Sequence, residues 1–273
     1  MKLAMIAVAG LAGVASAQTA DTFRANPATP YNAAEYSPYT GNGIGGLDAV
    51  LWDNGPLATG ATSRSGVAAP AGTQWSEVFA GGTSAGSNQN GNPFRVGDDF
   101  TVSGGGWNVT QLCFFAYQTG SSTTSTFTNV NWTLYEGAVG NTSNQVASGS
   151  GLDNTSFTGI YRIFDSNPGT SIPGTTRPIM LNEVNVNLNL PDGNYWVAWD
   201  SAGTSASGPW APSVTPPPGG ANAQQLTATG WVAALDGTTP LDFPFLVKGN
   251  VVPAPASLAL VGLGGLLAGR RRR

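Results

Sequence analysis

The sequence predicts an all-β fold, an antiparallel β-sandwich of jelly-roll type, and three observations carry that expectation. Glycine (38) and proline (19) are abundant while only 10% of residues are charged, the composition of a turn-rich β protein. Eight Trp, seven Tyr and eleven Phe are too many for a disordered stalk and enough for a core. Apolar residues recur with period two, and no amphipathic helix of useful length interrupts them.

Taken in order, residues 18–65 are irregular, punctuated by Pro27, Pro30, Pro38 and the glycine-rich run 41–46, with one apolar burst at 47–52 that can make a strand. Residues 75–80 offer a second. Residues 95–102 (RVGDDFTV) read as a strand, Gly104, Gly105 and Gly106 as a turn, and 107–118 (WNVTQLCFFAYQ) as a strand with Trp107, Val109 and Gln111 on one face before the run turns apolar on both. After a polar loop, Val130, Trp132 and Leu134 alternate with polar partners, the mark of a half-buried strand. Segments 145–148 and 157–164 continue the pattern. The clearest strand is 180–190, where Val184, Val186, Leu188 and Leu190 alternate with Glu183, Asn185, Asn187 and Asn189. Pro191-Asp192-Gly193-Asn194 carries turn chemistry and leads into 195–200 (YWVAWD), so the two segments form a hairpin. A Gly- and Pro-rich loop spans 201–221, and 224–231 and 243–247 supply the last strands. The expected organisation is a leader at 1–17, a loop-rich segment at 18–90 that belongs to the sandwich, a sandwich core at 91–250 and a tail at 251–273.

Several chemistries are excluded outright. Histidine is absent, which removes the Ser-His-Asp triad, Cys-His nucleophiles and histidine-ligated zinc. Cys113 is the only cysteine, so no intramolecular disulfide can form; within LCFF it reads as a small buried hydrophobe. Outside the two ends the chain holds six Lys and Arg against fifteen Asp and Glu, a net charge of -9, so a nucleic-acid footprint is missing. Asp98 and Asp99 at the head of a strand and Asp200 at the end of another are the candidate ligands of a structural calcium, an ion that takes oxygen donors from such loops. Adjacent aspartates on a strand point to opposite faces, so at most one of Asp98 and Asp99 can ligate through its side chain. Glu77, Glu136 and Glu183 are the glutamates from which a glycosidase pair would have to come. Trp196 and Trp199 have opposite parity, so one faces away from the core. Trp199 and the loop residue Trp210 are the candidates for stacking on a sugar ring.

Both ends read as address labels. Lys2, an apolar run at 3–14 and Ala15-Ser16-Ala17 before Gln18 form the n-region, h-region and Ala-x-Ala cleavage site of a signal peptide. At the other end Val252-Pro253-Ala254-Pro255 precedes a short apolar helix and then Arg270, Arg271, Arg272 and Arg273. Fourteen helical residues cover roughly 21 Å, short of the roughly 30 Å of a bilayer core, and the arginines mark a cytoplasmic end. This order of parts resembles the PEP-CTERM sorting signal of exported Gram-negative proteins, with Ala254 where that family has glutamate. The resemblance implies export, transient residence in the inner membrane, processing by an exosortase-type enzyme and release to the cell surface or extracellular matrix. It also implies an association with extracellular polysaccharide or biofilm. Residues 91–200 are similar in style to β-sandwich bodies that carry such tails, and no catalytic residue follows from that likeness. The expectation is a structural or adhesive protein without enzymatic activity that binds polysaccharide. The alternatives are a carbohydrate-active hydrolase on the same scaffold and a ligand-free surface spacer.

Overall fold

The computed structural model describes residues 49–55, 57–63, 65–78, 94–164, 174–213, 221–236 and 239–252. The leader, its cleavage site and the tail from Pro253 onward lie outside the described residues, as do the glycine- and asparagine-rich stretch 79–93 and the triple proline at 216–218. The described strands are β1 (Ala49–Asp53), β2 (Gln74–Val78), β3 (Arg95–Val102), β4 (Trp107–Tyr117), β5 (Phe127–Glu136), β6 (Gln145–Gly151), β7 (Asn154–Phe164), β8 (Pro178–Leu190), β9 (Gly193–Gly203), β10 (Gln224–Thr227), β11 (Gly230–Ala233), β12 (Leu235–Asp236), β13 (Thr239–Pro240) and β14 (Phe245–Val251). Among the described residues the sole helix is a single 3-10 turn at Thr142–Asn144, and none is long and apolar enough to cross a membrane.

The described residues are all-β, built as two six-stranded sheets in the orders β1-β14-β4-β8-β7-β2 and β11-β10-β3-β9-β5-β6, with β12 and β13 as a separate small hairpin. All pairings are antiparallel except β2 with β7. The strands of the N-terminal loop-rich segment, β1 and β2, close the two edges of the first sheet. Inward residues of both sheets meet in one core, as expected of a β-sandwich: Trp107, Leu112 and Phe114 from β4 and Phe245 from β14 pack with Phe100, Trp132 and Trp199 from the opposing sheet. On β8 the alternation holds: Val184 and Leu190 are in the core, Val186 and Leu188 pack against it, and Asn185, Asn187 and Asn189 are exposed.

The turn chemistry reaches further than its own hairpin. Asp192, in the β8–β9 turn, accepts from the backbone N–H groups of Gly105 (2.9 Å) and Gly106 (2.7 Å), tying that turn to the β3–β4 turn. Gly106 has φ of +100°, and a Cβ there would fall 2.8 Å from the Leu190 carbonyl, so only glycine lets the two turns touch.

Strand 107–117 departs from the sequence expectation. Thr110 is an extra residue against β14, where Val109 and Gln111 face the consecutive Gly249 and Lys248, and against β8 the same position spans two residues, Val186 and Asn187. This β-bulge reverses the parity of everything after it: Trp107 and Val109 share the core with Leu112 and Phe114, while Gln111 goes to the outer face with Cys113, Phe115 and Tyr117. Residues 224–231 are not one strand either, because β10 turns back at Thr227–Gly230 to pair with β11.

Candidate functional site

The outer face of the second sheet brings one residue from each of six strands into a single row. Trp231 (β11) stands opposite Leu226 (β10), Leu226 opposite Arg95 (β3), Asp200 (β9) opposite Asn131 (β5), and Asn131 opposite Ser150 (β6). The row closes in the middle through an ion pair, Arg95 Nε to Asp200 Oδ2 at 3.1 Å. Arg95 also donates through NH1 to Thr133 Oγ1 and through NH2 to the Ala198 carbonyl, both at 3.1 Å. Two of its five N–H donors are engaged in hydrogen bonds, while Nε makes the ion pair without one, and its side chain keeps 21% of its surface exposed. Asn131 Nδ2 donates to Asp200 Oδ1 at 2.6 Å, and its own Oδ1 accepts from Asn129 Nδ2 (3.0 Å) and Ser150 Oγ (2.8 Å). Asn129 and Ser150 are joined in turn, with Asn129 Nδ2 donating to Ser150 Oγ at 2.9 Å.

The row is a chain of oriented donors and acceptors with an aromatic ring at one end. The indole of Trp231 lies over Gly97 and Gly140, where any side chain would crowd or collide with it. It packs with Tyr135, Val139, Trp196, Ala198 and Ala221, and remains half-exposed. Chemically such a row can stack a sugar ring on the indole and hydrogen-bond neighbouring hydroxyls through a guanidinium, a carboxylate and carboxamides.

The residues singled out from the sequence are placed differently. Trp199 is 0% exposed, wedged in the core against Phe114, Phe243 and Phe245, so it presents no stacking face. Opposite parity does turn Trp196 away from that core, yet Trp196 is buried too, because the outer face has its own apolar layer. Trp210 is half-buried and bridged by its backbone to Tyr117, with N–H to carbonyl distances of 2.9 and 3.0 Å, and its ring packs on the outer cluster of the first sheet. It fastens the loop down.

The three aspartates do not share a site. Asp98 faces the core between Val96 and Phe100, Asp99 faces outward, and Asp200 is committed to Arg95 and Asn131. Among the described residues no group of three or more Cys, Asp or Glu side chains is placed to hold a metal ion. The three glutamates are also apart. Glu77 is buried on β2 and Glu136 is exposed at the end of β5 in the other sheet. Glu183, whose alternation with the apolar face of its strand points it to solvent or a concave sheet, is buried on β8 and paired with Lys248.

Arg95 and Trp231 carry no sequence motif, and Asn131 lies only in the sequon Asn131-Trp132-Thr133. Their shared sequence signal is parity, since each sits in a strand-like segment, but which segments are neighbours is decided by pairings far apart in the chain. The sequence matches no family model, and no curated protein or solved structure is significantly similar to it.

Proposed function

We propose that this chain is an exported, non-enzymatic jelly-roll protein of the cell surface or extracellular matrix that binds a neutral polysaccharide along the outer face of its second sheet. The observation that carries the reading is the row Trp231–Leu226–Arg95–Asp200–Asn131–Ser150, in which an aromatic platform continues into a fixed series of donors and acceptors. A net charge of -9 between the two ends favours an uncharged glycan over an acidic one. Strand orders β1-β14-β4-β8 and β3-β9-β5-β6, with the chain crossing between sheets at β3, β4 and β5, support the jelly-roll reading. The leader at 1–17 and the Val252-Pro253-Ala254-Pro255 and arginine tail support export and exosortase-type processing.

The test is co-sedimentation of the purified protein with the producing cell's exopolysaccharide, with and without calcium. Trp231→Ala should abolish sedimentation and Trp210→Ala should leave it intact. Loss with Trp210→Ala alone would move the site to the loop, and no binding by the unaltered protein in any condition would sink the polysaccharide reading and leave a spacer or a hydrolase.

A further inference from the structure

The outer face of the first sheet carries a cluster with a different chemistry, and it is independent of the polysaccharide reading. Lys248 of β14 stands directly opposite Gln111 of β4. Its Nζ lies 2.9 Å from Gln111 Oε1 and 3.0 Å from Glu183 Oε1. Glu183 is held from its other side by Asn154, whose Nδ2 donates to Oε2 at 2.6 Å. The Gln111 carboxamide is fixed at both ends. Its Nε2 donates to Asn185 Oδ1 at 3.1 Å, and its Oε1 accepts from the Cys113 thiol at 3.4 Å. The bulge at Thr110 is what turns Gln111 to this face.

An amine within hydrogen-bond reach of both a carboxamide and a carboxylate is the arrangement that intramolecular amide exchange requires. The setting favours it. The Lys248 and Glu183 side chains are 13% and 6% exposed, with Leu246 and Cys113 buried beside them. Burial keeps most water away from the amine and the carboxylate. Nζ already sits at the carbonyl, so the usual entropic barrier to bringing the reactants together is absent. The last torsion of a Gln side chain is soft, and a turn about it presents Cδ to Nζ.

We infer that Lys248 and Gln111 become joined by an isopeptide bond, with Glu183 as the proton relay. Glu183 takes a proton from the Lys248 ammonium. The freed lone pair attacks Cδ of Gln111, the Nζ–Cδ bond forms, and the carbonyl π pair moves onto Oε1, toward which the Cys113 S–H is directed. Glu183 returns its proton to Nε2 and takes the second proton from Nζ. The Cδ–Nε2 bond breaks, ammonia leaves, and it collects the proton from Glu183 as ammonium. Ammonium is the only by-product, and no oxidant or co-reactant is required. The bond would weld β14, the last strand before the C-terminal tail, to β4 in the middle of the sheet, so that tension on the tail could not peel it away.

Mass spectrometry of the purified full chain decides the matter. The expected result is a denatured mass lower by one ammonia than the sequence of the same species requires. Trypsin should fail to cut after Lys248, and the peptide containing Gln111 should be recovered joined to the one containing Lys248. Glu183→Gln should restore the full mass and cleavage at Lys248, read on the denatured chain whether or not that variant folds well. Full sequence mass and a freely cleaved Lys248 in the unaltered protein would overturn the inference, as would a cross-link whose acceptor is Asn154.

Discussion

Asp98 should make this protein lose stability as pH rises from acid to neutral. Its carboxylate faces the core, where Oδ2 accepts from Asn54 Nδ2 (2.8 Å) and the Phe243 N–H (2.7 Å) and Oδ1 accepts from the Asp99 N–H (2.9 Å). Burial, and then the charges of Asp242 and Asp99, hold its carboxyl well above the usual carboxylate range; the N–H groups of Phe243 and Asp99 oppose the shift without reversing it. In the unfolded chain the same group titrates near about 3.9. Between the unfolded and folded values the native state keeps a proton that the unfolded state has released. The stabilisation is therefore complete below the unfolded pKa and is lost as pH climbs through this window, at about 1.4 kcal/mol per pH unit. Asp98→Asn removes the titration at nearly constant volume, but its amide supplies one acceptor oxygen where two were used. One buried donor then faces an NH2 group, at a cost of about 1–3 kcal/mol. Dividing that cost by the slope puts the crossing of the two stability curves about 1–2 units above the unfolded value, near about pH 5–6. Urea unfolding followed by tryptophan fluorescence at fixed ionic strength from pH 4 to about 7 reads both curves. A gap between protein and variant that stays constant across this range would refute the reasoning.

Trp199→Ala should destabilise by about 3–5 kcal/mol, seen as a lower urea midpoint, because it empties the centre of an aromatic cluster with Phe114 at 5.0 Å and Phe245 at 5.8 Å. Gly149→Ala should cost about 1–3 kcal/mol by the same measurement, since a Cβ on β6 would fall 2.7 Å from the Trp132 ring. A urea midpoint unchanged from the unaltered protein would show that the indole can step aside. Burial pushes the Cys113 thiol up to about 12, with Lys248 opposing and Glu183 adding to the shift. Iodoacetamide at about pH 8 should leave Cys113 unlabelled in the folded protein and label it once urea is added, because the thiolate is the nucleophile; rapid labelling without urea would contradict the burial.

What the sequence by itself determined is the strand content and much of its placement. Period-two alternation placed β5 and β8, strand-like runs beside turn residues located β3 and placed β9, and Pro, Asp and Gly marked the turn between β8 and β9, because these signals are local. Parity also separated Trp196 from Trp199 correctly. Parity says that a strand has two faces but not what covers the second one. Trp199 was the candidate for the exposed ring and is in the core, while Trp196, the outward one, is buried by the packing of Val139, Ala221 and Trp231 over it. Asp200 was legible as a carboxylate at a strand end and read as a candidate calcium ligand, but its partner was not, since the Arg95–Asp200 pair spans strands whose neighbourhood is a long-range choice. The same holds for the cluster on the other sheet. One extra residue at Thr110, in the pairing with β14, moves Gln111 from the expected inner face to the outer one, beside Lys248 and Glu183. A bulge changes no composition and breaks no alternation that a reader of the sequence could trust; it is set by how two strands distant in the chain settle their register, and that is decided only when the sheets form.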